Sequence, residues 1–132
     1  MSVFDLGKII ERLMAAIDTR KDADRLNWIK AQHGEGVRLI SVNEIYYFKA
    51  EDKYTTVKTA DSESLIRKSI KELAGELDPG QFWQIHRGTI VNVKKIDRVT
   101  RGFSGGLMIK LKDLPRTTLS VSRAYSHLFK QM

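Results

Sequence analysis

From residue 26 onward the chain falls into short runs in which apolar and polar side chains alternate, separated by clusters of Gly, Asp, Asn, Ser and Pro. Alternation with a period of two puts successive side chains on opposite faces of a strand, so these runs cannot form the stripe of an amphipathic helix. Strands are expected over 45–50, 54–59, 64–67, 82–86, 89–93, 96–100, 107–111 and 117–121. Ahead of them, 26–32 and 36–42 flank His33-Gly34-Glu35-Gly36, a glycine-rich turn of hairpin type. Val, Ile, Thr, Tyr and Phe fill the runs, as a pleated, half-buried surface requires. Short strands recurring every eight to twelve residues predict a mainly antiparallel β domain.

Three segments break that period. Ser69-Ile70-Lys71-Glu72 is a capping box, with the serine oxygen accepting from the backbone three residues on while Glu72 reaches back. Ile70, Leu73 and Leu77 then form an apolar stripe, and Asp78-Pro79-Gly80 ends the short helix. A second short helix is expected after Ser122, anchored by Leu128 and Phe129. In residues 3–17, Leu6, Ile9, Ile10, Leu13, Met14 and Ile17 recur at helical spacing, and a charged stretch from Asp18 follows. The chain therefore divides into an amphipathic linker helix with a charged linker over 1–25 and a β domain over 26–132. The helix needs a partner surface: the domain itself, a second copy, or a connection to something further.

The formal charge of +7 is unevenly spread. Residues 1–25 carry five basic and five acidic side chains, and 26–83 carry eight and nine. Residues 84–132 carry ten basic and two acidic side chains. A basic final third on a neutral body is the footprint of a polyanion binder, because Lys and Arg release condensed counterions on meeting phosphates. A merely solvated basic surface is the bland alternative. There is no cysteine, which rules out disulfides and thiolate metal sites. No run approaches the roughly 18 apolar residues that span a bilayer. A soluble, cytoplasmic protein is expected.

Catalysis finds little support. The histidines are His33, His86 and His127, at none of the spacings that metal sites use, and no P-loop, nucleophile elbow or G-x-G-x-x-G is present. Neither a catalytic residue, a metal nor a cofactor is expected. Phe103-Ser104-Gly105-Gly106 reads as a hairpin loop.

Anion recognition has better candidates. Arg87 stands where an apolar strand gives way to Gly88, and its nearest acids in sequence are Asp78 and Asp97. It is free to meet phosphate or the O6/N7 edge of guanine, unless the fold brings it to a distant carboxylate. For His86, a hydrogen bond to neighbouring backbone that fixes the loop is preferred to ligand contact. Arg123 follows the expected cap Ser122, in a first helical turn where the dipole disfavours a cation by about 0.3–1 kcal/mol. An external anion would justify that placement. In the turn after Ala50, contact could come from Lys53, Tyr54 or Thr55, and a plain hairpin tip explains the stretch equally well.

In the same order, Ile45–Tyr54, Leu65–Leu73, the F-x-x-x-H-R-x-x-x-V-N of Phe82–Asn92 and the V-S-R-x-Y of Val121–Tyr125 closely resemble the LytTR family of DNA-binding domains, over roughly residues 27–132. The resemblance implies an elongated, mostly β fold that reads successive major grooves of double-stranded DNA from loops. Its base-contacting places fall at Lys53, Tyr54, Thr55, Arg87 and Arg123. His86 and Asn92 then become loop and strand supports, with Lys94, Lys95, Arg98, Arg101 and Arg116 as phosphate-gripping surface. Gly88 stands where many relatives carry serine, which suggests a looser loop. The family commonly forms the output half of two-component response regulators, binds paired sites, and sits behind a receiver domain that this chain has no room for. A homodimer on DNA is expected, and no membrane partner. The rival is an RNA-binding or protein-interaction β module using the same basic face. Against the RNA variant, the aromatics look like core residues by alternation.

Overall fold

The computed structural model describes residues 25–102 and 105–130, so the predicted 3–17 helix lies outside the described residues. Ten strands fall close to their expected positions, and they form three antiparallel sheets. β1 (Trp28–His33) and β2 (Gly36–Ser41) make a hairpin closed by Gly34 and Glu35. Gly34 has φ +58, a left-handed conformation that costs glycine nothing.

The central sheet has five strands: β3 (Tyr47–Glu51), β4 (Tyr54–Lys58), β5 (Glu63–Ile66), β6 (Phe82–His86) and β7 (Thr89–Asn92). Their order across the sheet is β5-β4-β3-β7-β6. A third sheet sets β8 (Ile96–Arg101), β9 (Leu107–Leu111) and β10 (Leu114–Val121) in the order β10-β9-β8. β10 begins earlier than the expected Thr117 and runs through Pro115. It can do so because it is an edge strand whose register shifts between Leu114 and Thr118, where a residue without an N–H breaks no ladder bond.

Both faces of the central sheet are covered, and the alternation of its strands explains how. Phe48, Val57, Ile66, Phe82 and Ile90 point to one face, where Ile29, Ala31 and Ile40 of the first hairpin meet Ile70, Leu73 and Leu77 of the internal helix. That helix, α1, spans Ile70–Glu76 and carries the complete capping box, with Glu72 N–H to Ser69 Oγ at 3.1 Å and Ser69 N–H to Glu72 Oε1 at 3.4 Å. Tyr47, Ile85 and Val91 point to the other face, against Ile109, Leu111, Leu119 and Val121 of the third sheet. Phe48 and Phe82 pack at 5.9 Å between ring centroids in a tilted arrangement, the geometry aromatic pairs favour.

The C-terminal helix is a 3-10 helix over Arg123–Phe129. Ser122 holds the expected cap position, but its side chain makes no capping hydrogen bond. The segment is fixed by packing: Phe129 lies against Trp83 at 5.4 Å, and Leu128 is half-buried beside it.

Candidate nucleic-acid interface

Two turns share one end of the central sheet, and the start of the C-terminal 3-10 helix comes to the same end. Asp52 and Lys53 join β3 to β4, with Asp52 at φ 47, and Arg87 and Gly88 join β6 to β7. Ala50 N–H donates to Gly88 O at 2.8 Å, tying the first turn to the second. Ser122 N–H donates to Ile85 O at 2.9 Å, bringing the residue before Arg123 to the end of β6. Lys53, Arg87 and Arg123 therefore stand in a row along one rim, held by strand ends and backbone hydrogen bonds. All three are exposed, and among the described residues none lies within ion-pairing distance of a carboxylate.

The Arg87 turn is braced from both sides. His86 Nδ1 accepts from Gly88 N–H at 3.2 Å, so the proton of a neutral ring sits on Nε2, the nitrogen turned away from this bond. Gly88 O is held by Ala50, as above. Gly88 lacks a positive φ, and a Cβ there would meet Ala50 Cβ at 3.6 Å and His86 Nδ1 at 3.8 Å, both ordinary contacts. The loosening suggested by a glycine in place of serine does not follow, because the constraint comes from the backbone.

Three sequence expectations need correction. Thr55 does not present its side chain to a base: it is buried, and its hydroxyl donates to Lys68 O at 2.6 Å. Asn92, by contrast, is the strand support that the resemblance implied. It is 0% exposed, its Nδ2 donates to Ile45 O at 2.9 Å and its Oδ1 accepts from Lys94 N–H at 3.0 Å, so both halves of the amide are consumed in tying the end of β7. Lys94 and Lys95 follow Asn92, at the opposite end of β7 from Arg87, and Lys95 Nζ sits 4.9 Å from the centre of the Tyr46 ring in a cation–π contact. The helix-dipole argument for Arg123 also lapses, because a seven-residue 3-10 helix without a side-chain cap offers no organised anion site. What remains for Arg123 is exposure one residue beyond Ser122, which is tied to the end of β6.

The other basic candidates separate by position. Arg101 pairs with Leu107, which pairs with Val121, so it lies at the Arg123 end of the third sheet. Arg98 is exposed in the middle of β8, and Arg116 lies on β10 on the order of 17 Å along the strand from Val121. Arg67, which no motif singles out, also reaches the rim: Ile66 pairs with Thr55, so the next residue stands beside Tyr54. Only the β4–β5 register reveals this.

The aromatics do not all belong to the core. Tyr54 is 42% and Trp28 57% exposed, whereas Tyr46, Tyr47, Phe48 and Phe82 are buried. Burial and the Asp113 carboxylate, which accepts the Tyr46 hydroxyl at 3.0 Å, push the Tyr46 phenol above its ordinary value of 10.0. Burial, with Glu63 and Glu51 nearby, does the same to Tyr47. Among the described residues no group of side chains could hold a metal ion, and no helix is long and apolar enough to cross a membrane.

A three-sheet antiparallel scaffold whose rim carries cations without carboxylate partners among the described residues has the electrostatics of a polyanion-binding module. The chain belongs to the LytTr DNA-binding domain family, whose sequence model matches residues 35–132. It is 51% identical over 96% of its length to an uncharacterized response regulatory protein of Vibrio cholerae, covering 48% of that protein. It is 32% identical to the transcriptional regulatory protein YpdB of Escherichia coli, over 89% of this chain and 46% of that one. With the positive alginate biosynthesis regulatory protein of Pseudomonas aeruginosa the figures are 34% identity, 74% and 39%. The chain spans about half the length of the first two of these relatives and less of the third. A solved LytTr DNA-binding domain from Bacillus cereus shares the fold at a TM-score of 0.71 and 22% identity, over 79% of this chain and 94% of that one. The domain is a DNA-binding one, and the mainly antiparallel β architecture expected from the sequence is the family's.

Proposed function

We propose that this chain reads base sequence in double-stranded DNA from the rim of its central sheet, as the output module of a two-component transcriptional regulator in the cytoplasm. The observation that carries the reading is the row of Lys53, Arg87 and Arg123, joined by the Ala50–Gly88 and Ser122–Ile85 hydrogen bonds and lacking carboxylate partners among the described residues. Arg87 and Arg123 present planar forks suited to the O6/N7 edge of guanine, each discriminating against a wrong base by about 1–3 kcal/mol. Lys53 and the exposed Tyr54 complete the base-reading set, and Arg101 and Arg98 supply phosphate contacts. His86 orients the Arg87 turn. Regulation through a receiver domain is supported by a relative named as a response regulatory protein and about twice the length of this chain, and pairing of two copies on adjacent sites is part of the same proposal.

Selection of bound duplexes from a random pool, read by sequencing, tests this directly. A single enriched motif is expected, and two copies of it at fixed spacing if the sites are paired. Arg87→Ala and Arg123→Ala should each cost about 1–3 kcal/mol on the selected duplex and much less on a random one, with loss of preference at different base positions. Equal losses on both duplexes would refute base reading by these arginines. Tighter binding to single-stranded RNA than to any duplex would overturn the whole reading.

A further inference from the structure

The rim does not stop at Lys53. β5 is the edge strand of the central sheet, and β1 packs along its outer side without joining its ladder. A groove is left between the two strands, open to solvent and lined by Lys30, His33, Tyr54, Leu65 and Arg67. Lys30 and Arg67 continue along it toward α1.

Its charge is unbalanced for a structural reason. Of the acids around it, Glu63 is paired with Lys58 at 3.8 Å, Glu72 is held in the capping box, and Glu76 is paired with Lys68 at 2.6 Å. Lys30 and Arg67 are exposed and have no carboxylate within ion-pairing distance among the described residues. Glu35, at the hairpin tip, and Glu51 and Asp52, on the β3–β4 turn, are exposed and set the outer limits of the basic strip. As an edge strand, β5 also offers backbone groups on its outer side with no ladder partner. A long polyanion lying along the rim would meet a second cationic track here.

We infer that the groove between β1 and β5 is an extension of the DNA interface, in which Arg67 and Lys30 take the phosphodiester backbone flanking the bases read from the turns. The inference rests on the reading proposed above. Three and a half strand spacings separate β5 from the β6–β7 turn, about 17 Å, or about five base pairs along one strand. The groove thus lies within the same contact as Arg87 yet on different nucleotides, and on the opposite side of Lys53 from Arg123.

The test uses the full chain with two probes, a duplex recovered by selection from a random pool and a random-sequence duplex of equal length. Binding is measured across a salt series, with phosphate ethylation interference on the selected duplex. Removing one phosphate contact should reduce the log–log salt slope by about 0.9 and weaken binding roughly fivefold at 0.15 M salt. Arg67→Ala should do this on both probes, erase interference at phosphates about five base pairs from the bases that lose preference in Arg87→Ala, and leave the selected motif intact. Arg67→Lys should retain the slope, and Lys94→Ala, at the far end of β7, should match the wild type. An unchanged slope and interference pattern in Arg67→Ala, with wild-type binding intact, would overturn the extension alone. So would an equal slope change in Lys94→Ala, since the effect would then be general charge. Failure of the wild-type chain to bind any duplex would overturn both readings.

Discussion

Replacing Asn92 by alanine separates a structural amide from a DNA-contacting one. Asn92 has no exposed surface; its Nδ2 is committed to Ile45 O and its Oδ1 to Lys94 N–H. Ile45 is itself fully buried, so Asn92→Ala strands a carbonyl that water cannot reach. Leaving such a group unpaired costs about 1–3 kcal/mol, and losing the bond to the partly buried Lys94 N–H adds about 0.5–1.5 kcal/mol. A total of about 3 kcal/mol should lower the melting temperature by on the order of 10 °C for a domain of this size. Asn92→Asp sharpens the test. Its carboxylate still accepts from Lys94 N–H but faces Ile45 O without a proton to donate. Burial would raise the folded-state pKa of that carboxyl above the unfolded value of about 3.9. The penalty is then least below that value and grows as pH rises toward the folded pKa. Thermal melts of the wild type and both variants between pH 4 and 8, with salt-slope measurements on a random duplex, decide the matter. Unchanged melting with a reduced salt slope would refute the structural assignment and restore a phosphate contact.

Thr55→Val keeps shape and removes the buried hydroxyl that donates to Lys68 O; it should cost about 1–3 kcal/mol in chemical denaturation and leave the selected DNA motif unchanged. Gly88→Ser should change stability by less than about 0.5 kcal/mol, since φ is not positive and the new Cβ makes ordinary contacts; a large loss on melting would show that the turn needs glycine. In an absorbance titration, Tyr46 and Tyr47 should ionise above the ordinary phenol value of 10.0, and Tyr46→Phe should remove one of the late-titrating groups. Because both folded-state values are raised, the associated stability is present below about pH 10 and is lost as pH climbs through them. Two tyrosines that titrate at the ordinary value would contradict the burial.

The local patterns were legible in the sequence because each depends on neighbours a few residues apart. Period-two alternation placed the strands, and the capping box placed the start of α1 to the residue, since Ser69 and Glu72 bond each other three residues apart. Arg87 could be picked out because no acid lies near it in sequence and none approaches it in the described fold, whereas Arg123 was picked out by a helix-dipole argument that its 3-10 geometry does not support. Thr55 was misjudged because its neighbour Tyr54 is exposed while its own hydroxyl answers to Lys68, thirteen residues on. Asn92 could be given its supporting role only through the family resemblance, because its partner Ile45 lies forty-seven residues away.

What only the tertiary structure decided is which charges act together. Ten basic residues in the final third look like one patch when counted along the chain, yet strand direction sends Lys94 and Lys95 to one end of the sheet and Arg87 to the other. Register brings Arg67 of the neutral central segment onto the rim beside Tyr54. Local rules set where the backbone turns because they act over one or two residues. The company each side chain keeps depends on hydrogen-bond ladders between distant segments, and no short window of sequence contains both partners.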